Sequence, residues 1–250
     1  MSSRINRFLA LATAVLLVLV GISAIDSKNE ATAADASRFD PGLIISDSVF
    51  YDFGTMTVAD IQRFLESKVP VCKANDGGPT CLRDYVTDEL EKVGEDGKCQ
   101  SMPAKQNVKA SQIIYDIARA CGINPRVLLV VLQKEQGLIQ SVNPTPYMYK
   151  AAMGFGCPDS DPAICGKVHS GLFNQLYKAA GQMQWYGDPR GSFTYLKVGK
   201  TISMRYHPDS CGAKDSSGNC TSWVNKCGNA SFVLKSQATA NLYYYTPYVP

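Results

Sequence analysis

Several features that mark common classes of protein are missing from the sequence. Only two histidines occur, His169 and His207, and no cysteines form a Cys-x-x-Cys pair, which argues against a zinc site. The formal net charge is only +3, without any basic block, so nucleic acid is not an expected partner. There is no internal repeat and no coiled-coil pattern. With so few histidines and no Cys-x-x-Cys pair, we expect neither a metal nor a cofactor.

A run of membrane-compatible length occurs only at the N-terminus. Arg4 and Arg7 precede an uncharged apolar run from Phe8 to Val20, and 31–33 read Ala-Thr-Ala, which fits a small-x-small cleavage site. This pattern predicts a signal peptide over residues 1–33, with an uncleaved membrane anchor as the alternative. We expect a secreted or cell-surface protein with a flexible lead-in over 34–47 and a single domain over 48–250.

The cysteines support export. Without zinc-like spacing, nine cysteines indicate disulfides formed in an oxidising compartment. Local loops suggest the pairs Cys72–Cys81, Cys99–Cys121 and Cys157–Cys165. One further pair would come from Cys211, Cys220 and Cys227, and the odd cysteine would stay free or pair outside the chain.

Apolar spacing predicts a mainly α domain of the α+β class. We expect helices over 57–68, 111–121, 125–136, 170–186 and 237–245, because each combines helical periodicity with a capping residue, a glycine or a proline at an end. A short polar helix is expected within 82–93. Alternation predicts a β-hairpin over 192–206 and a short strand over 231–235.

Glu135 is the candidate catalytic residue. It lies in line with Leu128 and Leu132 near the end of a strongly apolar helix, so the pattern predicts a partly buried carboxyl group. Burial and the negative end of the helix dipole would both raise its pKa, as a general acid requires. The alternative is a structural glutamate paired with Lys134 or a nearby arginine.

The surroundings of Glu135 suggest a carbohydrate site. Glycines let the backbone approach a ligand closely, and aromatic rings stack on the C–H faces of sugars. Tyr195 and Tyr206 belong to the aromatic residues that could provide such surfaces. The predicted substrate-binding residues are Gln136, Tyr147, Tyr149, Met153, Gly154, Phe155, Asp159, Trp185 and Tyr186.

Glycoside hydrolysis usually needs a second carboxylate. Asp159, Asp161 and Asp188 are candidates without distinguishing spacing. If none serves, Glu135 would act alone and a hydroxyl of the substrate would close an anhydro ring. A cysteine nucleophile, Cys157 or Cys165 with His169, is a further alternative.

Four blocks of the sequence resemble a family of exported actinobacterial cell-surface modules. They read FDPGLIISDSVF, LLVVLQKEQGL, AAMGFGCPD and QATANLYYYTPY, and the resemblance covers most of residues 39–250. The family usually continues beyond the last block, with another cysteine. The resemblance implies an exported surface protein without specifying its activity.

A helix ending in Gln-Lys-Glu-Gln-Gly, followed by Met-Gly-x-Gly, is also similar to the lysozyme-like lytic transglycosylases. This similarity implies a lysozyme-like architecture, with Glu135 as catalytic acid and Met153, Gly154 and Phe155 lining a glycan groove. Gln136 replaces the serine usual in that family, and Gly156-Cys157 stands where its second block has a glutamine.

We therefore predict an enzyme that cleaves a cell-wall polysaccharide, most simply the glycan strand of peptidoglycan, as a hydrolase or lytic transglycosylase. The alternatives are a wall-binding or adhesion module that uses the same groove, and a disulfide-stapled structural surface protein. The expected partner is the wall polymer, with membrane contact only through the N-terminal segment.

Overall fold

Helices form the larger part of the regular secondary structure. The computed structural model describes residues 38–157, 169–206, 211–214, 216, 220–223 and 228–249, so the predicted signal peptide lies outside the described residues. The helices are α1 (Asp47–Phe50), α2 (Val58–Lys68), α3 (Ala110–Cys121), α4 (Pro125–Gln136), α5 (Pro146–Lys150), α6 (Leu172–Trp185) and α7 (Gln237–Tyr245).

Local capping explains where the main helices begin and end. The Thr57 side chain accepts from the backbone of Asp60 while the Asp60 carboxylate accepts from Thr57, which is the predicted capping box of α2. Asn124 caps α4 by accepting from the N–H of Arg126 at 2.9 Å. Gly137 ends α4 in the left-handed conformation, at φ 65°. These predicted helix boundaries are confirmed.

The central helix is α3, which packs against α2, α4 and α6. Its buried side chains include Ile113, Ile114 and Ile117, and they meet Leu128 and Leu132 of α4 in one core cluster. The six consecutive apolar residues Val127 to Leu132 predict that the rest of the domain encloses α4. This prediction is wrong on the side that carries Val130, which is 65% exposed and faces solvent.

A two-stranded antiparallel sheet joins β1 (Val86–Glu89) to β2 (Lys105–Lys109). The polar helix expected over 82–93 is therefore wrong, because pairing with a distant segment overrides the local preference. Lys105 fastens this sheet to α3, since its ammonium contacts the buried Glu89 at 3.1 Å and Asp116 of α3 at 2.5 Å. Burial raises the pKa of Glu89.

A second sheet has β3 (Thr201–Tyr206) between β6 (Asn229–Val233), which is antiparallel to it, and β7 (Tyr248–Val249), which is parallel. The hairpin expected over 192–206 is wrong. Only the second half of this segment is a strand, β3, and it pairs with β6 instead of with the first half. The short strand expected over 231–235 is present as β6. Ile202 and Met204 pack with Tyr243 in a second small core. A further pair joins β4 (Cys211–Lys214) to β5 (Cys220–Trp223).

The segment before α1 is tied to the end of the chain. The carboxylate of Asp40 contacts the ammonium of Lys235 at 2.6 Å, and the Tyr243 hydroxyl donates to the carbonyl of Pro41 at 2.8 Å. The part of the predicted lead-in from Asp40 onward therefore belongs to the same compact unit as the helices.

Two of the predicted disulfides are confirmed, Cys72–Cys81 and Cys99–Cys121. Cys157 is also disulfide-bonded, and its predicted partner Cys165 lies outside the described residues, as does Cys227. The chain thus has a mixed α+β fold with disulfide-pinned loops, and the lysozyme-like architecture stays a prediction.

Candidate functional site

A cleft of about 700 Å³ opens beside the end of α4, and Glu135 lies in its wall. The Glu135 side chain is 23% exposed, so it is neither fully buried nor free in solvent. Helix α4, the segment from α5 to Cys157, the end of α6 and the residues after α7 contribute the other walls. The last turn of one helix thus faces segments that are distant along the chain.

Glu135 has a cation beside it. The Lys134 ammonium lies 2.8 Å from Oε1 of Glu135 and also donates to the hydroxyl of Thr246 at 2.9 Å. This is the partner that the structural alternative for Glu135 required. A groove also adjoins the carboxylate, so the ion pair and the cleft are both present. Among the described residues that line the cleft, Glu135 supplies the only carboxylate.

A glycine brings backbone against the carboxylate. Gly154 has φ +71°, and a Cβ built there would lie 3.0 Å from Oε2 of Glu135. Both the conformation and the space therefore favour glycine. At Gly156, also at positive φ, a Cβ would overlap the His169 ring, with 2.7 Å to Cδ2. The loop from Met153 to Gly156 consequently lies between Glu135 and His169.

The buried side chain of Gln175 holds that loop. Its Oε1 accepts from the backbone N–H groups of Met153 and Phe155, at 3.0 and 3.1 Å. Its Nε2 donates to the carbonyls of Phe155 and His169, at 2.8 and 2.7 Å. All four hydrogen bonds of the amide thus fix the path of the cleft wall.

Tyr245 of α7 holds the same loop from the other side, since its hydroxyl donates to the carbonyl of Met153. Burial raises the pKa of Tyr245, and the nearby negative charge of Glu135 raises it further. The phenol therefore stays protonated and keeps donating throughout the physiological range.

Sequence reasoning missed both Gln175 and Tyr245. The signal for Gln175 was its position three residues after Leu172 and four before Ala179, which places an amide on the apolar side of α6. No local signal marked Tyr245. It follows two other tyrosines directly, and nothing in the sequence shows which of the three rings contacts the loop at Met153.

The structure brings most of the predicted site residues together and separates others. Tyr149 is buried and stacks on Tyr85 at 3.8 Å, with its hydroxyl donating to the carbonyl of Thr80. Trp185 lies outside the cleft lining and faces the ammonium of Lys98 at 5.5 Å. Asp159 lies outside the described residues. The predicted residues that line the cleft with Glu135 are Gln136, Tyr147, Met153, Gly154, Phe155 and Tyr186.

The candidates for a second carboxylate differ in how they are placed. Asp159 and Asp161 lie outside the described residues. Asp188 does not line the cleft, and its carboxylate contacts Arg190 at 2.5 Å. Hydrogen bonding to Arg190 lowers the pKa of Asp188 to about 2, so it is not suited to hold a proton for transfer.

Neither of the remaining chemistries has support in the described part of the chain. Cys157 is disulfide-bonded and so is not the thiol that the cysteine-nucleophile alternative needs. The described residues contain no cluster of three His, Cys, Asp or Glu side chains that could hold a metal ion.

The fold and the cleft define a disulfide-pinned α+β domain with a groove of aromatic rings and glycine-bearing backbone, whose described lining includes one carboxylate. The chain belongs to the LasA N-terminal domain family, whose model matches residues 43–186, more than half of the sequence. That match includes Glu135, the Met153–Gly156 loop and Gln175 but ends before Tyr245. No curated protein and no solved structure matches the chain.

No helix in the described ranges is both long enough and apolar enough to cross a bilayer.

Proposed function

We propose that this domain binds a cell-wall polysaccharide strand in the Glu135 cleft and cleaves it, with Glu135 as general acid. One observation carries the proposal: the described residues that line a cleft of about 700 Å³ include a single carboxylate, and it lies among aromatic residues. Sugar rings offer C–H faces that stack on aromatic side chains and hydroxyls that pair with polar groups. The membership in the LasA N-terminal domain family supports the cell wall as the source of the strand.

The chemistry follows from having one acid among the described residues that line the cleft. Protonated Glu135 donates its proton to the glycosidic oxygen while the bond from that oxygen to the anomeric carbon breaks. A hydroxyl of the same sugar attacks the anomeric carbon and returns its proton to the Glu135 carboxylate. The products are a shortened strand and an anhydro-sugar end, and no water is consumed.

The loop from Met153 to Gly156 suits this role because its backbone is held from two sides, by Gln175 and by Tyr245. A group that must meet a scissile bond works best when its surroundings are rigid. Tyr186 and Tyr147 then provide the ring faces along which the strand would lie.

The test is Glu135→Gln, which keeps the shape of the side chain and removes the acid. Purified protein is incubated with wall sacculi, and released fragments are quantified and examined by mass spectrometry for anhydro ends. We expect release to fall by at least ~100-fold, the usual contribution of a general acid. Glu66→Gln on α2, outside the cleft lining, is the matched control and should release fragments normally. Equal release by wild type and Glu135→Gln would overturn the assignment.

The Lys134–Glu135 ion pair favours a second candidate, a wall-binding module without cleavage. A lysine 2.8 Å from the carboxylate offers the structural pairing that a non-catalytic glutamate needs. This candidate predicts that the wild type binds wall strands and releases no fragments, and that Glu135→Gln binds as tightly. We also propose, on the four sequence blocks, that the protein belongs with exported actinobacterial surface modules, and that its helical core is lysozyme-like.

A further inference from the structure

A second cavity adjoins the Glu135 cleft. It has a volume of about 500 Å³, and β3, the middle strand of the β6–β3–β7 sheet, supplies much of its lining. Pro247 and Tyr248 line both cavities, so the two are neighbours.

Strand alternation determines which side chains lie on the exposed face of β3. Ile202 and Met204 point into the small core, which places Thr201, Ser203 and Arg205 on the opposite, exposed face. The register with β6 sets Ser203 opposite Ser231 and Arg205 opposite Asn229. The face is therefore a row of hydroxyl, amide and guanidinium groups, all able to pair with sugar hydroxyls.

An aromatic ring stands at the edge of this face. Tyr195 is 69% exposed, and its ring meets Tyr244 edge to face at a centroid distance of 4.8 Å. The Tyr244 hydroxyl accepts from the N–H of Leu196 at 2.8 Å, so the ring that supports Tyr195 is itself anchored. Tyr244 also contacts Tyr186 of the cleft at 5.4 Å, which links the two cavities through aromatic rings.

Arg205 adds charge selectivity. Its side chain is exposed, lines the second cavity and has no ion-pair partner among the described residues. A guanidinium pairs with a carboxylate through two parallel hydrogen bonds. A strand that carries carboxylate substituents on its sugars would therefore bind this face better than a neutral one.

We propose that the exposed face of β3, with Tyr195 and Arg205, is a distal subsite that binds the continuation of the same polysaccharide strand and prefers strands bearing carboxylates. The proposal rests on the proposed function for the identity of the polymer, but not on cleavage. Two residues, Pro247 and Tyr248, line both cavities, and this adjacency is why we propose the continuing polysaccharide strand as the occupant.

The experiment measures Kd for strands of increasing length by calorimetry, in a Glu135→Gln background so that no strand is cut. Two probes are used: glycan strands from amidase-treated peptidoglycan, which carry lactyl carboxylates, and neutral chitin oligosaccharides of matched length. We expect Tyr195→Ala to weaken binding of long strands about 10-fold and of the shortest strands less than 2-fold, since the latter fill only the cleft.

Further variants separate the ring from the charge. Tyr195→Phe keeps the ring and should bind like the parent protein. Arg205→Ala should weaken binding of the carboxylate strands about 10-fold and leave chitin binding unchanged. Arg126→Ala is the matched control, because Arg126 is also exposed and lines neither cavity. Urea unfolding of each variant verifies that folding is intact.

The outcomes distinguish this proposal from the proposed function. If long strands bind Tyr195→Ala as tightly as the parent, the distal subsite is overturned while cleavage in the cleft can stand. If Tyr195 governs binding of long strands but the wild type releases no fragments, cleavage is overturned and the subsite stands. If no strand of any length binds, both are overturned.

Discussion

The Glu135 cleft and a second groove, formed around the Cys99–Cys121 disulfide, are similar in size but differ in the number and the pairing of their carboxylates. The disulfide groove is the larger, at about 810 Å³ against 700 Å³, and it contains three carboxylates. Each of these is neutralised: Glu95 contacts Lys98 and Lys178, while Asp96 and Asp188 contact Arg190. The described lining of the cleft has one carboxylate and one lysine, and that lysine is shared with Thr246.

Cavity volume alone therefore does not distinguish the two cavities, whereas the way in which their walls are held does. The carboxylates of the disulfide groove form surface ion pairs, each of which contributes little to stability. The cleft wall is held by the neutral amide of Gln175 and the phenol of Tyr245, while the Glu135 carboxylate pairs with Lys134. Three changes test this contrast.

The largest effect is expected from removing the disulfide of the larger groove. Cys99→Ala with Cys121→Ala should lower the free energy of unfolding by ~3 kcal/mol, because the bridge restricts the unfolded chain. Urea unfolding measures this loss. Below the unfolding transition, binding of wall strands should stay unchanged, because neither cysteine lines the cleft.

The matched control is Cys72→Ala with Cys81→Ala. That bridge spans 9 residues rather than 22, and the chain-entropy relation gives it a stabilisation smaller by ~0.8 kcal/mol. Weakened strand binding by the folded Cys99/Cys121 variant would show that the two cavities are not independent.

A smaller loss of stability, with a functional effect, is expected for Gln175→Leu. The change leaves two N–H groups and two carbonyls of the cleft wall without their partner, which should cost ~2 kcal/mol of stability. Because the loop from Met153 to Gly156 then loses its fixed position, we expect binding of wall strands to weaken ~10-fold. Denaturant unfolding and calorimetry measure the two effects.

Gln184→Leu, on the same helix, provides the control. The Gln184 amide donates to the carbonyls of Cys121 and Gly122, at 2.6 and 3.2 Å, and lines the disulfide groove. We expect a loss of ~1 kcal/mol with normal strand binding. Equal weakening of binding by both variants would contradict a positioning role for Gln175.

The smallest effect concerns the titration of the groove carboxylates. The pKa of Asp188 is lowered to about 2 because Arg190 donates hydrogen bonds to it. A lowered folded-state pKa stabilises the fold at pH values above the usual value of 3.8, and this stabilisation is lost as the pH falls toward 2. Arg190→Ala removes the side-chain hydrogen bonds and keeps the one from the backbone N–H of residue 190, so the Asp188 midpoint should rise from about 2 towards 3.8, as followed by carboxyl carbon NMR shifts.

Asp60 serves as the internal reference in that titration. Hydrogen bonds from Thr57 and the charge of Arg63 lower its pKa, and none of these partners is changed. An Asp188 midpoint that stays near 2 in Arg190→Ala would show that its pKa is set by something other than the arginine.

Much of the helical framework could be predicted from the sequence because its signals are local. The capping box at Thr57 and Asp60 and the glycine after Gln136 all act within one helical turn. Cys72 and Cys81 could be paired because they are close along the chain. The sequence predicted a site from the helix that carries Glu135 and the glycine block that follows it, and Glu135, Gly154 and Phe155 do line one cleft.

Other features could not be predicted because they depend on distant partners. Residues Val86–Glu89 form a strand because Lys105–Lys109 pairs with them, against the polar helix expected there. Tyr149 and Trp185 look like Tyr147 and Tyr186 in sequence, yet tertiary packing places only the latter two in the cleft. Gln175 became a site residue through contacts with residues some 20 positions earlier.

Local sequence patterns are enough to predict that a strongly apolar helix ends just after Glu135, that a glycine-bearing loop follows it and that cysteines close the nearby loops. Helix periodicity, capping and short loop closure are all encoded within a few residues. What closes the cleft depends instead on tertiary packing. Lys134 meets Thr246 across a separation of 112 residues, and no pattern near Glu135 contains that information. The packing of α7 places Tyr245, Pro247 and Tyr248 in the lining of the Glu135 cleft, and Pro247 and Tyr248 also line the neighbouring cavity beside β3.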